Sequence, residues 1–162
     1  MRREALLKLR RAMSIRDGRF HPLQIEAFPC DMETARAHLD SFVRAFIRSS
    51  GRSRAEHILF RLALEHPDRL GALCKLLDDR YTSPPQDLTL PTNLPTNGVY
   101  FAGGDEAWLL SLENAKAVSN YLCRDAVWSG VAGTYAVFLH HETMQWLCYR
   151  QVVATEACGP NL

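Results

Sequence analysis

Side chains whose types and spacing could do chemistry sit in three short stretches of this chain and in one fourth, glycine-rich one. His140-His141-Glu142 puts two imidazoles and a carboxylate in succession, the donor types of a zinc-like cation. The apolar run Tyr135 to Leu139 before them reads as a strand. Neighbours on a strand point to opposite faces, so the expectation is that the two histidines do not grip one ion and that no metal is held. The order also differs from H-E-x-x-H. Cys148 can be set against His140 across a hairpin, the one Cys/His pairing available for nucleophilic chemistry. Flanked by Leu147 and Tyr149, that thiol reads as a buried strand residue. Gly51-Arg52-Ser53-Arg54 opens a helix among arginines, where an anion could settle, but it lacks the glycines and lysine of a phosphate-binding loop. No G-x-S-x-G occurs, and no catalytic residue is assigned.

The fourth stretch is Gly103-Gly104-Asp105-Glu106, between Val99-Tyr100-Phe101-Ala102 and Ala107-Trp108-Leu109-Leu110. Two β-rich segments joined by paired glycines make a hairpin, because glycine supplies the positive φ of a tight turn. Followed by a helix, this arrangement resembles the signature turn of diguanylate cyclases over about 25 residues, Val99 to Leu122. The resemblance implies glycines that admit a guanine nucleotide and an acidic pair, Asp105 and Glu106, that serves metal and catalysis. Ala107 stands where that family has an aromatic residue. The family's upstream strand with a metal-binding Asp, and the Phe–Asn-Asp segment after it, are missing. Phosphoryl transfer without a second carboxylate ligand is hard to sustain, so the tight turn is the leading reading and no cofactor is expected.

The elements that position these stretches follow from periodicity. Arg2 to Met13 has helical spacing, with Leu6, Leu9 and Met13 on one side and Arg2, Arg3, Lys8, Arg10 and Arg11 around them. Asp31 can cap a second helix whose stripe is Ala35, Leu39, Phe42, Val43, Phe46 and Ile47. Ser53 with Glu56 is a capping box for a third helix, and a shorter fourth follows Pro67. Breaks fall at Asp17-Gly18, His21-Pro22 and Phe28-Pro29. Residues 82–97 hold four of the eight prolines and read as a connector. Ser111 can cap a helix with Leu112, Ala115, Val118, Tyr121 and Leu122 on one face. Ser129-Gly130 and Gly133 read as a loop that carries Trp128 to the surface. Trp146 to Val153 returns as the last strand. The fold class is therefore α+β: a helical region at 1–81, a connector at 82–97 and a ββαββ region at 98–154. Three to four helices pack on an antiparallel sheet of two hairpins with one helix between them, and the length of 162 residues fits one compact domain.

Composition narrows the function classes. Five cysteines without a C-x-x-C pair fit reduced thiols in the cytoplasm. No apolar run approaches the roughly 20 residues that span a bilayer, and the basic N-terminus lacks the apolar core of a secretory signal. Glu4 and Asp17 weigh against a mitochondrial presequence. A net charge of +1 argues against a nucleic-acid-binding domain as a whole. The charge is uneven: residues 1–60 carry 12 Lys/Arg against 7 Asp/Glu, and the remainder 7 against 11.

The C-terminal third, a strand, an acidic turn, a strand with Trp146 and then Cys158-Gly159-Pro160, resembles small bacterial proteins of the toxin-immunity type over about 30 residues. That resemblance implies a cytoplasmic, non-enzymatic binder that occludes another protein. Trp108, Trp128, Trp146, Tyr149, Asp105 and Glu106 are then the candidate contacts. Two alternatives stand beside it. One is nucleic-acid association through Arg2, Arg3, Lys8, Arg10, Arg11, Arg52 and Arg54, with steep salt dependence. The other is a degenerate nucleotide-binding protein that uses Asp105 and Glu106.

Overall fold

The computed structural model describes residues 25, 27–83, 94–141 and 145–150. The expected first helix, the second half of the last strand and the basic residues Arg2, Arg3, Lys8, Arg10 and Arg11 lie outside them. In chain order the elements are β1 (Ala27–Cys30), α1 (Met32–Phe46), α2 (Arg52–His57), α3 (Ala63–Glu65), a 3-10 helix (Pro67–Leu76), β2 (Thr82–Ser83), β3 (Asn97–Phe101), β4 (Ala107–Ser111), α4 (Leu112–Leu122), β5 (Ala126–Val131), β6 (Tyr135–Leu139) and β7 (Gln145–Tyr149). A π-helical turn, Ile58–Leu62, joins α2 to α3. The fold is α+β, as the periodicity predicts.

The sheet is larger than two hairpins. Seven strands pair antiparallel in the order β1-β4-β3-β5-β6-β7-β2. Phe28-Pro29, expected as a break, is part of β1 at one edge, where a proline removes a donor at least cost. Trp128-Ser129-Gly130, expected as a loop, is the middle of β5. Its pairing with β6 shifts register between Ser129 and Val131, so the glycine marks a bulge rather than an end.

Cross-strand partners share a face. Pro29, Trp108, Tyr100, Trp128, Val137, Leu147 and Ser83 form one row across the whole sheet. Tyr100, Trp128, Val137 and Leu147 from that row bury against Ala115 and Val118 of α4. The neighbouring row, including Val99, Ser129, Ala136 and Cys148, faces the helical group. His38 of α1 reaches that face, with Nδ1 2.8 Å from Ser129 Oγ. Burial holds the His38 imidazole below its ordinary pKa, which favours its neutral form.

Two helix entries follow the capping rule. Asp31 Oδ1 accepts from the Thr34 N–H at 2.7 Å, and Ser111 Oγ from the Asn114 N–H at 3.1 Å. The expected Ser53–Glu56 box does not cap α2. Its N-cap lies two residues earlier, at Gly51, with no side-chain bond to it. The turn packed against Leu76 sets the entry instead.

Asp78 closes the helical group onto the β2 edge. It is buried, its N–H donates to the Phe46 carbonyl at 2.8 Å, and Arg80 Nη2 donates to its Oδ2 at 2.6 Å. Those bonds from Arg80 hold the Asp78 carboxyl at about 2. A carboxyl depressed below its unfolded value of about 3.9 adds stability above that pH and loses it as pH falls. Asp78→Asn is therefore expected to melt lower than the native chain at neutral pH. The gap between their Tm values should narrow as pH is lowered from about 4 to about 2. A gap that stays constant across that window would remove the ion pair as its cause.

Candidate functional site

The β3–β4 hairpin carries a surface groove beside its turn. Gly103 and Gly104 take φ of 83° and 86° at its tip, as the turn reading requires. The tip does not stand free. The Gly104 N–H donates to the Ala63 carbonyl at 2.8 Å. A Cβ on Gly103 would lie 2.7 Å from that same oxygen and 2.9 Å from Pro67 Cα. The room at Gly103 is taken up by the start of α3 and by Pro67, so the turn is a dock between sheet and helices.

Beyond the tip, Asp105, Glu106, Ala107 and Trp108 meet Pro29 and Cys30 of the edge strand around a groove of about 260 Å³. Asp105 is exposed and Glu106 half-buried. Trp108 is also half-buried, and its Nε1–H is covered without an acceptor among the described residues. Phe28 (40% exposed) on β1 and Met32 (39%) at the start of α1 are large apolar side chains left in water. Phe28 pairs with Leu109, so it points to the opposite face of the edge strand from Pro29 and Trp108. On its outer side β1 has no partner strand among the described residues. Burial is the main cause that raises the Cys30 thiol above its ordinary pKa, with the nearby Asp31 carboxylate adding to it, so it lacks the character of a nucleophile.

The other expected contacts do not gather here. Trp128, expected to be exposed, is 1% exposed. Its indole lies between Gly98 and Gly130, where added Cβ atoms would come within 2.7 Å of the ring. Its Nε1–H donates to the Leu110 carbonyl at 2.9 Å. Trp146 lies on the opposite, helical face, 5.9 Å between ring centroids from Phe138. Tyr149 pairs with Tyr135 and packs with the α4-side core. Of the six expected contacts only Trp108, Asp105 and Glu106 share one surface.

Comparison with family models, curated proteins and solved structures found no match.

Cys148 and His140 are not paired. Cys148 sits opposite Ala136, fully buried on the helical face, and burial pushes its thiol far up. His140 lies beyond the end of β6. At the other anion candidate, the Gly51 N–H donates to the Arg48 carbonyl at 2.8 Å, and Arg52 Nη2 to the Arg44 carbonyl at 2.7 Å. Arg52 thus serves the last turn of α1, a favourable place for a cation. Arg54 is exposed on α2.

The histidine reading needs the largest correction. The strand ends at Leu139, so the alternation that separates neighbouring side chains no longer applies at His140 and His141. Their rings stack, with centroids 4.4 Å apart. Both turn toward Asp125, a buried carboxylate that spacing along the chain did not single out.

No helix among the described residues is long and apolar enough to cross a membrane.

Proposed function

We propose that this chain is a small non-enzymatic protein-binding module of the cytoplasm, an inhibitor or immunity-type factor that works by covering a partner protein. The groove beside Trp108 is its contact surface. The observation that carries this reading is the groove's mix of aromatic and acidic groups, Trp108 in the wall and Asp105 and Glu106 lining it, with Phe28 and Met32 exposed on and just after the edge strand. Aromatic anchors surrounded by polar rims are where binding energy concentrates. The fitting partner presents an apolar side chain next to Lys or Arg. Pro29 in β1 disfavours simple strand addition, so side chains rather than a shared ladder provide recognition.

The test uses two surface variants, Asp105→Lys and Met32→Glu, each first shown to keep the native Tm. A partner captured from host lysate is purified and titrated against the native chain and both variants. Each substitution is expected to weaken binding at least about tenfold, the range of a hot-spot residue. Affinity unchanged in both variants would overturn the groove as the contact surface. Binding that appears only with GTP or cyclic di-GMP and magnesium would favour the nucleotide reading. Binding to generic DNA or RNA that fades steeply with salt would favour the basic residues.

A further inference from the structure

We propose that Asp125, His140 and His141 form a binding site for one divalent cation of the zinc class. The site lies at the same end of the strands as the Gly103–Glu106 turn, across β3 from the Trp108 groove; it shares no residue with that groove and does not depend on the protein-binding reading.

The register builds it. Ala126 of β5 is opposite Leu139 of β6, so the residues just outside that pair, Asp125 and His140, meet where the ladder ends. Two further features aim the carboxylate. Cys123 ends α4 in the left-handed region, φ 49°, which turns the chain sharply into β5. Asp125 Oδ2 lies against Gly71 of the 3-10 helix, where an added Cβ would be only 2.3 Å away. The carboxylate is thus held between the sheet end and the helical group, 4% exposed.

The donor geometry fits an ion. Asp125 Oδ1 accepts the His141 backbone N–H at 2.8 Å and lies 2.8 Å from His141 Nδ1. His140 Nε2 is 3.9 Å from the same oxygen. All three ligand atoms lie within 4.8 Å of one another. Donors on a tetrahedral zinc, each about 2.0–2.2 Å from it, stand about 3.3 Å apart. The 2.8 and 3.9 Å spacings bracket that value, so side-chain rotation alone suffices. Two imidazoles and one carboxylate suit zinc, cobalt or copper and disfavour magnesium or calcium. His140 is 14% and His141 40% exposed, which leaves an entry path for an ion among the described residues. Trp146 meets the His140 ring edge-on at 6.1 Å and walls the site on one side.

The experiment uses untagged full-length protein freed of metal by chelation. Zinc is titrated calorimetrically, and cobalt and copper are followed by absorption and by tryptophan fluorescence. The expected result is one zinc per chain, with affinity cut at least about tenfold by His140→Gln or His141→Gln. Copper should quench fluorescence in the native chain and much less in Trp146→Phe, since Trp108 and Trp128 lie on the other face. The cobalt complex should show visible bands without a near-ultraviolet thiolate band. No saturable zinc binding overturns the proposal. So does unchanged binding in the folded His140→Gln/His141→Gln double variant, or a strong thiolate band, which would give the ion to the cysteines.

Discussion

Trp128→Ala is expected to be the most destabilising single substitution in the sheet. It removes a fully buried indole at the centre of the cross-sheet row together with the bond its N–H donates to the Leu110 carbonyl. Truncation of a buried tryptophan costs about 3–5 kcal/mol. For a chain of this size that lowers Tm by roughly 6–20 °C. The cavity closes poorly, because Gly98 and Gly130 on either side have no side chain to move into it. The same geometry makes the reverse change harmful. Gly130→Ala would place Cβ 2.7 Å from the indole and 2.9 Å from the Tyr135 ring, an overpacking cost of about 1–3 kcal/mol. The two effects share one contact, so the double variant should be more stable than the two losses added together. Thermal melts of all four proteins check this. Simple additivity, or a Trp128→Ala shift of a degree or two, would mean the indole is not held as described.

Gly103→Ala is the second large effect, and it bears on what the Gly-Gly-Asp-Glu turn is for. A φ of 83° costs a residue with a side chain about 1–2 kcal/mol. The new Cβ also meets backbone, the Ala63 carbonyl and Pro67 Cα, which cannot rotate away. Together the loss is on the order of 2–4 kcal/mol, with the hairpin pushed off the helical group. Asp105→Asn and Glu106→Gln at the same turn do not face this contact and are expected to change Tm far less. If the stretch were instead a nucleotide site, the acidic variants would abolish a thermal shift with GTP or cyclic di-GMP and magnesium. Millimolar nucleotide with magnesium is expected to leave the native Tm where it is; a shift would reopen the diguanylate-cyclase resemblance.

Features decided within a few residues were legible without coordinates. The Asp31 and Ser111 caps, the apolar stripe of α1 and the paired-glycine turn depend on neighbours one to four positions away, and periodicity exposes such neighbours. The strand containing Trp128 was not legible. Ser129-Gly130 has loop composition, yet Gly130 is there because the indole of its own strand leaves no space for a Cβ. Pro29 was misleading for a related reason. It reads as a break until β1 is known to lie at the sheet edge, where a missing donor is tolerated.

The order of residues by itself determined the α+β class, the helix entries at Asp31 and Ser111 and the tight turn with its acidic pair. Tertiary structure alone decided which aromatics are surface and which are core, because an alternating strand does not say which face will be covered. It alone brought Asp125 to His140 and His141, fifteen and sixteen positions on, since the antiparallel register Ala126–Leu139 and the contact at Gly71 belong to no local pattern.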